Sequence, residues 1–143
     1  MQLFIQSGDL GPKWFHLAIR AMVLMAESEV LLKSNHIADL LGEDPTTLRK
    51  ILSKLAKAEL VQAHSGRYGG YCLAKDASEI TVGNVYHAFE PPQVPYWTVP
   101  STGSEFYISL IISKAEEQFQ ASLDNYTIKE ILKYKSQSTD KHH

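Results

Sequence analysis

The sequence predicts a mainly α-helical protein with one small β-hairpin. Apolar residues recur at three- and four-residue spacing in several segments, which is the period of an amphipathic helix. Two short alternating segments flank the stretch "SGRYGG", whose glycines favour a hairpin turn. A hydrophobic content of 44% in 143 residues is enough for one domain with a packed core and an appended helix.

Composition argues against a membrane or an oxidising compartment. The longest apolar stretch, Leu17–Ala26, is too short to cross a bilayer and is interrupted by Arg20. The first ten residues lack the basic start and cleavage pattern of a signal peptide. The single cysteine, Cys72, excludes an internal disulfide and fits a reducing environment. We therefore expect a cytoplasmic protein with no membrane partner.

The first three predicted helices form the start of the domain. The first covers 14–28, with a core-facing stripe that includes Trp14 and Met22. A short helix, "HIADLL", opens at Ser34 or Asn35 and ends at Gly42 in a left-handed conformation. The third is capped by Asp44, carries proline at its first position and runs to about residue 58. Its buried stripe is Leu48, Ile51, Leu52 and Leu55.

A hairpin and a short helix complete this domain. The strands are predicted at 60–64 and 71–75, and a helix at 80–90 turns Val82, Val85, Tyr86 and Phe89 inward. The loop lacks the glycine spacing and Lys-Ser/Thr pair of a phosphate-binding loop. We expect Cys72 to pack within its strand rather than act in redox chemistry. Residues 1–90 are therefore predicted to form a winged helix-turn-helix domain.

A separate helical region follows this domain. Residues 91–101 form a proline-rich linker, because 91–100 holds four of the six prolines. Thr102 and Glu105 form a capping box that opens a long apolar helix, and a short helix, "TIKEILKY", ends the predicted folded region 102–135. Residues 136–143 are expected to be a disordered tail. We interpret the long helix as a dimerisation element whose contact residues are Ile108, Ile111, Ile112, Ala115 and Phe119.

Charge is concentrated around the third helix and the hairpin. Residues 45–75 contain six Lys or Arg residues and one Glu, a local charge of +5, whereas the whole chain carries −2 and the remainder therefore −7. A basic face on an acidic chain favours an anionic partner such as double-stranded DNA. On charge alone, a solvated helix face explains the pattern about as well.

The segments "LAIRAM", "IADLLGEDPTTLRKILSKLAKAELV", "GRYGGYCLAK" and "ITVGNVYHAFE" together resemble the Rrf-two (Rrf2) family of bacterial transcription regulators, in register over about 17–90. The resemblance implies a homodimeric DNA-binding regulator rather than an enzyme. It places DNA contacts at Arg20, at Thr46, Thr47, Arg49 and Lys50, and at the wing glycines Gly66, Gly69 and Gly70.

Residue chemistry refines this expected DNA contact set. The planar fork of Arg49 suits guanine, whereas Lys50, Lys54 and Arg67 suit phosphates. Tyr68 is expected to reach towards DNA from the hairpin tip. Ser65 occupies the position where the family's wing arginine is common, so Arg67 is expected to replace that contact. For Arg20, an internal ion pair with Asp39 or another acid is as good an interpretation as a phosphate contact.

The family's sensor members carry three cysteines before the dimerisation helix, and residues 91–105 contain none. We therefore expect a member without an iron–sulfur cluster and without a metal site. Tyr96 and Trp97 could close over a pocket for a small-molecule effector of unknown identity, although packing explains such aromatics more simply. The alternative function is a winged-helix protein-interaction module with only non-specific affinity for DNA.

Overall fold

Helices dominate the structure, and a two-stranded antiparallel sheet accompanies them in the described part of the chain. The computed structural model describes residues 13–89 and 103–141, with side chains to residue 135. Predictions on the linker, on Tyr96 and Trp97, and on Thr102 lie outside these residues. The elements are α1 (Trp14–Glu27), α2 (Ser34–Leu41), α3 (Pro45–Lys57), β1 (Val61–His64), β2 (Gly70–Leu73), a 3-10 turn (Ala77–Glu79), α4 (Val82–His87), α5 (Gly103–Leu123) and α6 (Ile128–Lys141).

The helices α1, α2, α3 and α4 share one hydrophobic core, which also includes Ile128 from α6. The predicted stripes of α1 and α3 are both buried, and so are the four residues expected to turn inward from the predicted helix 80–90. The helix α4 is shorter than that prediction, so Phe89 lies just beyond its end. Trp14 packs against Phe89, with ring centroids 4.5 Å apart. The largest fully buried side chains are Met22, Ile37, Leu48, Ile51, Leu52, Leu55, Ile80, Val85 and Ile128.

The turn between α2 and α3 follows the predicted punctuation closely. Gly42 ends α2 with φ of 66°, in the left-handed region that disfavours other residues. The Asp44 carboxylate accepts a hydrogen bond from the Thr47 amide at 3.0 Å, and Pro45 follows at the first helical position. The start of α2 corrects the prediction: Lys33 is the cap residue and no side chain caps the helix.

The hairpin pairs β1 with β2 in antiparallel register, with Val61 opposite Leu73 and His64 opposite Gly70. Each strand is one residue shorter than predicted, and β2 begins at Gly70, one residue earlier than predicted. Leu32 extends the pairing: its amide donates to the Tyr71 carbonyl at 3.1 Å, and the Tyr71 amide donates back at 2.7 Å. The segment before α2 is thereby fastened to the hairpin.

Gly69 is required by close packing at the hairpin tip. A Cβ at this position would overlap the backbone carbonyl of His64, which cannot move without opening the turn. Gly69→Ala is therefore expected to destabilise the protein by about 1–3 kcal/mol, the usual cost of overpacking. Chemical denaturation measures the effect, and Gly103→Ala is the control because a Cβ there meets no atom within 4 Å. Equal midpoints for the two variants would contradict this account.

The end of α5 and the start of α6 are tied to the α4 region by main-chain and side-chain contacts. The Val82 amide donates to the Tyr126 carbonyl at 2.8 Å, and the Ile128 amide donates to the Ile80 carbonyl at 2.9 Å. The Thr81 hydroxyl donates to Asp124 at 3.0 Å. The helix α6 then packs along α1 and continues to Lys141, so the predicted helix end at residue 135 and the disordered tail are corrected over 136–141.

The helix α5 is the least buried of the described helices, since none of its residues is fully buried. Its apolar side chains Ile108, Ile111 and Ile112 are 55%, 51% and 53% exposed. None of the helices in the described ranges is long and apolar enough to span a membrane.

Candidate nucleic-acid interface

The outer face of α3 is basic and contains no acidic side chain. The helix, Pro45–Lys57, contains no Asp or Glu. Asp44 lies just before the helix, and its carboxylate caps the first turn. Leu48, Ile51, Leu52 and Leu55 bind this helix to the core and thereby fix which residues face outward. Thr46, Arg49, Lys50, Ser53 and Lys57 are exposed, and Thr47 is half-buried.

Arg49 is held at the exposed start of α3. Its Nη2 donates to the Thr46 hydroxyl at 3.4 Å, one helical turn earlier. Thr47 is occupied differently, because both its amide and its hydroxyl donate to the Asp44 carboxylate. Of the two predicted threonines, Thr46 is therefore the one placed to support Arg49.

Lys54 lies apart from the other basic residues of α3. Its side chain is half-buried, and its Nζ lies 5.9 Å from the centroid of the Phe89 ring. A cation at this distance is attracted by the ring face. Lys54 therefore contributes to packing between α3 and the end of the α4 region, in addition to its charge.

The hairpin tip is the second exposed part of the candidate interface. Ser65, Gly66, Arg67 and Tyr68 are all exposed, and Tyr68 is 84% exposed. Gly66 has φ of 100°, which glycine adopts at little cost. The Arg67 guanidinium lies 5.6 Å from the Tyr68 ring centroid, so the two side chains project together. Gly69 is buried at the base of this tip.

Lys33 is a residue of this surface that the sequence analysis missed. Its Nζ donates to the Gly69 carbonyl at 3.0 Å and so links the start of α2 to the wing. A cleft of about 370 Å³ lies between them, lined by Lys33, Ser34, Ala63, His64, Ser65, Gly66, Gly69, Gly70 and Tyr71. A lysine directly before the first helix of a helix-turn-helix was the available signal.

Arg20 is placed away from the other predicted contacts. It is exposed on α1 and lines two adjoining clefts together with residues of α5 and α6. Neither cleft includes a residue of α3 or of the hairpin. Among the ion pairs between residues whose side chains the structure describes, none joins Arg20 to Asp39.

The predicted dimerisation residues fall into two groups. Ile108, Ile111, Ile112 and Ala115 are exposed along α5. Phe119 is half-buried and meets Tyr86 with ring centroids 5.4 Å apart. Phe119 therefore packs on the chain's own domain, and the free apolar surface lies in the first part of α5.

Cys72 lies on β2, with its Sγ 3.7 Å from Nε2 of His64 across the hairpin. The thiol is half-buried and the imidazole is exposed. The pair offers two donor atoms, one sulfur and one imidazole nitrogen, which are too few to hold a metal ion by themselves. Among the side chains that the structure describes, no group of three or more His, Cys, Asp and Glu residues is arranged to hold a metal.

These features define a winged helix-turn-helix protein with a basic outer face and an extended helix beyond the winged domain. A family model described as "Rrf2: Iron-dependent Transcriptional regulator" matches residues 13–134. The chain belongs to the Rrf2 family of transcriptional regulators, which confirms the resemblance and the fold class predicted from the sequence.

Solved structures show the same fold. IscR of T. potens aligns with a TM-score of 0.69 and 24% identity, over 87% of this chain and 87% of that one. CymR of B. subtilis, described as the global cysteine regulator, aligns with a TM-score of 0.61 and 23% identity, over 85% and 94%. CymR of Staphylococcus aureus aligns with a TM-score of 0.61 and 22% identity, over 84% and 95%.

The residues of this chain do not fit the iron dependence in the family description if that iron is held by cysteines. An iron–sulfur cluster is ligated by several cysteine thiolates. The chain has one cysteine, and the structure places it on the hairpin beside His64. A cysteine-ligated cluster cannot be assembled within one chain from this donor set.

Proposed function

We propose that this protein is a sequence-specific DNA-binding transcriptional regulator that acts as a homodimer, most simply as a repressor that occupies a pseudo-palindromic operator. The observation that carries the proposal is the acid-free outer face of α3, which presents Arg49 and Lys50 from a helix held in place by four buried residues. A helix presented in this way suits the major groove of DNA.

The proposed division of labour follows from side-chain chemistry. Arg49 reads guanine through two parallel hydrogen bonds, which a flexible lysine cannot supply with the same geometry. Lys50 and Arg67 contact phosphates, and Thr46 supports Arg49. Ser65, Gly66 and Tyr68 at the exposed tip approach the DNA backbone. Lys33 adds a positive charge where α2 meets the wing.

The exposed apolar face of α5 supports the dimer. Three isoleucines that are each about half exposed are costly to leave in water, and a second copy of the same face would cover them. Two-fold symmetry then gives the operator two half-sites, about one helical turn of DNA apart, ~10 base pairs or a multiple. A dimer bound in this way needs no catalytic group.

We further propose that regulation does not use an iron–sulfur cluster, because the chain supplies one cysteine. We keep Tyr96 and Trp97 as candidate residues of a small-molecule effector pocket.

The proposal is tested by selecting DNA fragments from a random pool with the purified full-length protein, kept in a metal chelator throughout. We expect a pseudo-palindromic winner that binds at least ~100-fold more tightly than a scrambled duplex at the same salt concentration. A selection that succeeds only after iron and sulfide are added would contradict the cluster-free proposal.

The same experiment distinguishes the alternative, a winged-helix module that binds an acidic protein. That module would bind the winner and the scrambled duplex equally, and modest salt would abolish both affinities together. Such a result would overturn the proposal of a sequence-specific regulator.

A further inference from the structure

Two adjoining clefts lie where the winged domain meets the C-terminal helices. The first has a volume of about 480 Å³, within the range of small-molecule sites. Its apolar wall comes from four helices: Phe15 and Ile19 of α1, Val82 of α4, Phe119 and Leu123 of α5, and Ile131 of α6. The second cleft continues from it over Ile19, Arg20 and Ile131 towards the end of α2.

The lining of the first cleft is apolar except for His16 and the permanently charged Arg20. Arg20 lines both clefts and His16 lines the first, one helical turn before it on the same face of α1. Among the side chains described for residues 13–89 and 103–135, no acid forms an ion pair with Arg20. The nearby carboxylate of Glu27 is bound by Lys135 at 2.6 Å, so its negative charge is already compensated.

We propose that this cleft binds a small apolar monocarboxylate, such as a medium-chain fatty acid or an aromatic acid. The carboxylate accepts two hydrogen bonds from the Arg20 guanidinium, and the apolar body lies against the wall formed by α1, α4, α5 and α6. A purely apolar ligand would leave the arginine without a partner, and a small inorganic anion would leave the wall exposed.

The position of the cleft allows such a ligand to affect how α5 is arranged relative to the winged domain. The α1 helix belongs to the core that positions α3, whereas α5 carries the exposed isoleucines. A ligand that touches both favours one arrangement of α5 relative to the winged domain. The binding site itself does not rest on the proposed DNA function.

The test is calorimetric titration of the full-length protein with decanoate, decanol and acetate. Decanoate should bind at least tenfold more tightly than decanol, which has the same chain without the charge. Acetate, which keeps the charge but loses the apolar body, should bind at least ~100-fold more weakly than decanoate.

Arg20→Gln should weaken decanoate binding by about tenfold or more and leave decanol within about twofold. Lys57→Gln is the matched control, because it removes one exposed positive charge outside the cleft and should change neither affinity. Thermal denaturation checks that both variants remain folded. Equal affinities for decanoate and decanol, no effect of Arg20→Gln, or no saturable decanoate binding because a second copy fills the cleft would each overturn the proposal.

Discussion

Arg49→Ala is expected to remove most of the protein's preference for its operator while leaving non-specific DNA binding largely in place. Arg49 is exposed at the start of α3 and held by Thr46, so its planar fork can address a base edge. A bidentate arginine–guanine contact contributes about 1–3 kcal/mol of discrimination. The proposed homodimer would make the contact in both half-sites, so about 2–6 kcal/mol of discrimination would depend on this residue.

The measurement is the ratio of affinities for the selected operator and a scrambled duplex, over a series of salt concentrations. Lys57→Ala is the control, because Lys57 is exposed on the last turn of the same helix and its substitution removes the same charge. We expect it to weaken both affinities alike and to lower the salt dependence. If Arg49→Ala behaves like Lys57→Ala, base reading belongs to another residue.

The sequence predicted α3 well because the signals for that helix are local. Its start is specified by Asp44 and Pro45, and its buried face by four apolar residues at helical spacing, all within fourteen residues of chain. The structure shows the predicted cap and the predicted buried stripe. The outward basic face then follows from the helix period alone.

The start of α2 was predicted less accurately because a distant contact decides it. Leu32 pairs with Tyr71 and Lys33 reaches Gly69, so the hairpin holds the chain extended up to the residue before the helix. The prediction of a cap at Ser34 or Asn35 used only neighbouring residues. It could not include Gly69, which lies 36 positions after Lys33. The same contact explains why Lys33 was missed as part of the candidate interface.

The end of α6 was misjudged for a different reason. Apolar periodicity stops near residue 134, but it reports burial and not the end of a helix. No glycine or proline lies between 135 and 141, so no residue there breaks the helix, and adding a residue to an existing helix costs little.

The surroundings of Arg20 and Phe119 could not be predicted from local pattern. The helices α5 and α6 return to α1 from about a hundred residues further along the chain, and only the folded structure shows that they meet there. Arg20 consequently lines a cleft, and Phe119 packs on Tyr86, whereas the four other predicted dimer residues stay exposed.

Ile111→Glu is expected to dissociate the proposed dimer without unfolding the subunit. Ile111 is 51% exposed in the single chain, so a glutamate there remains solvated when no partner is present. In a symmetric dimer the substitution occurs twice and removes two apolar contacts. Each contributes about 0.8–1.5 kcal/mol, about half the value for full burial, because half of the side chain is already covered in the single chain. The carboxylates also lose water on association, which adds to the cost. We expect the dimer dissociation constant to rise at least ~100-fold.

Sedimentation at several protein concentrations measures this constant, and operator binding by the same samples measures its consequence. Lys114→Glu is the matched control: it introduces the same side chain at an exposed polar position three residues further along α5. We expect that control to remain dimeric. Ile111→Glu should bind half-sites as a monomer and lose the gain in operator affinity that comes from binding both half-sites at once. A dimer of unchanged stability in Ile111→Glu would show that the exposed isoleucine face is not the contact between subunits, and the spacing of half-sites would then have to be set by another surface of the chain.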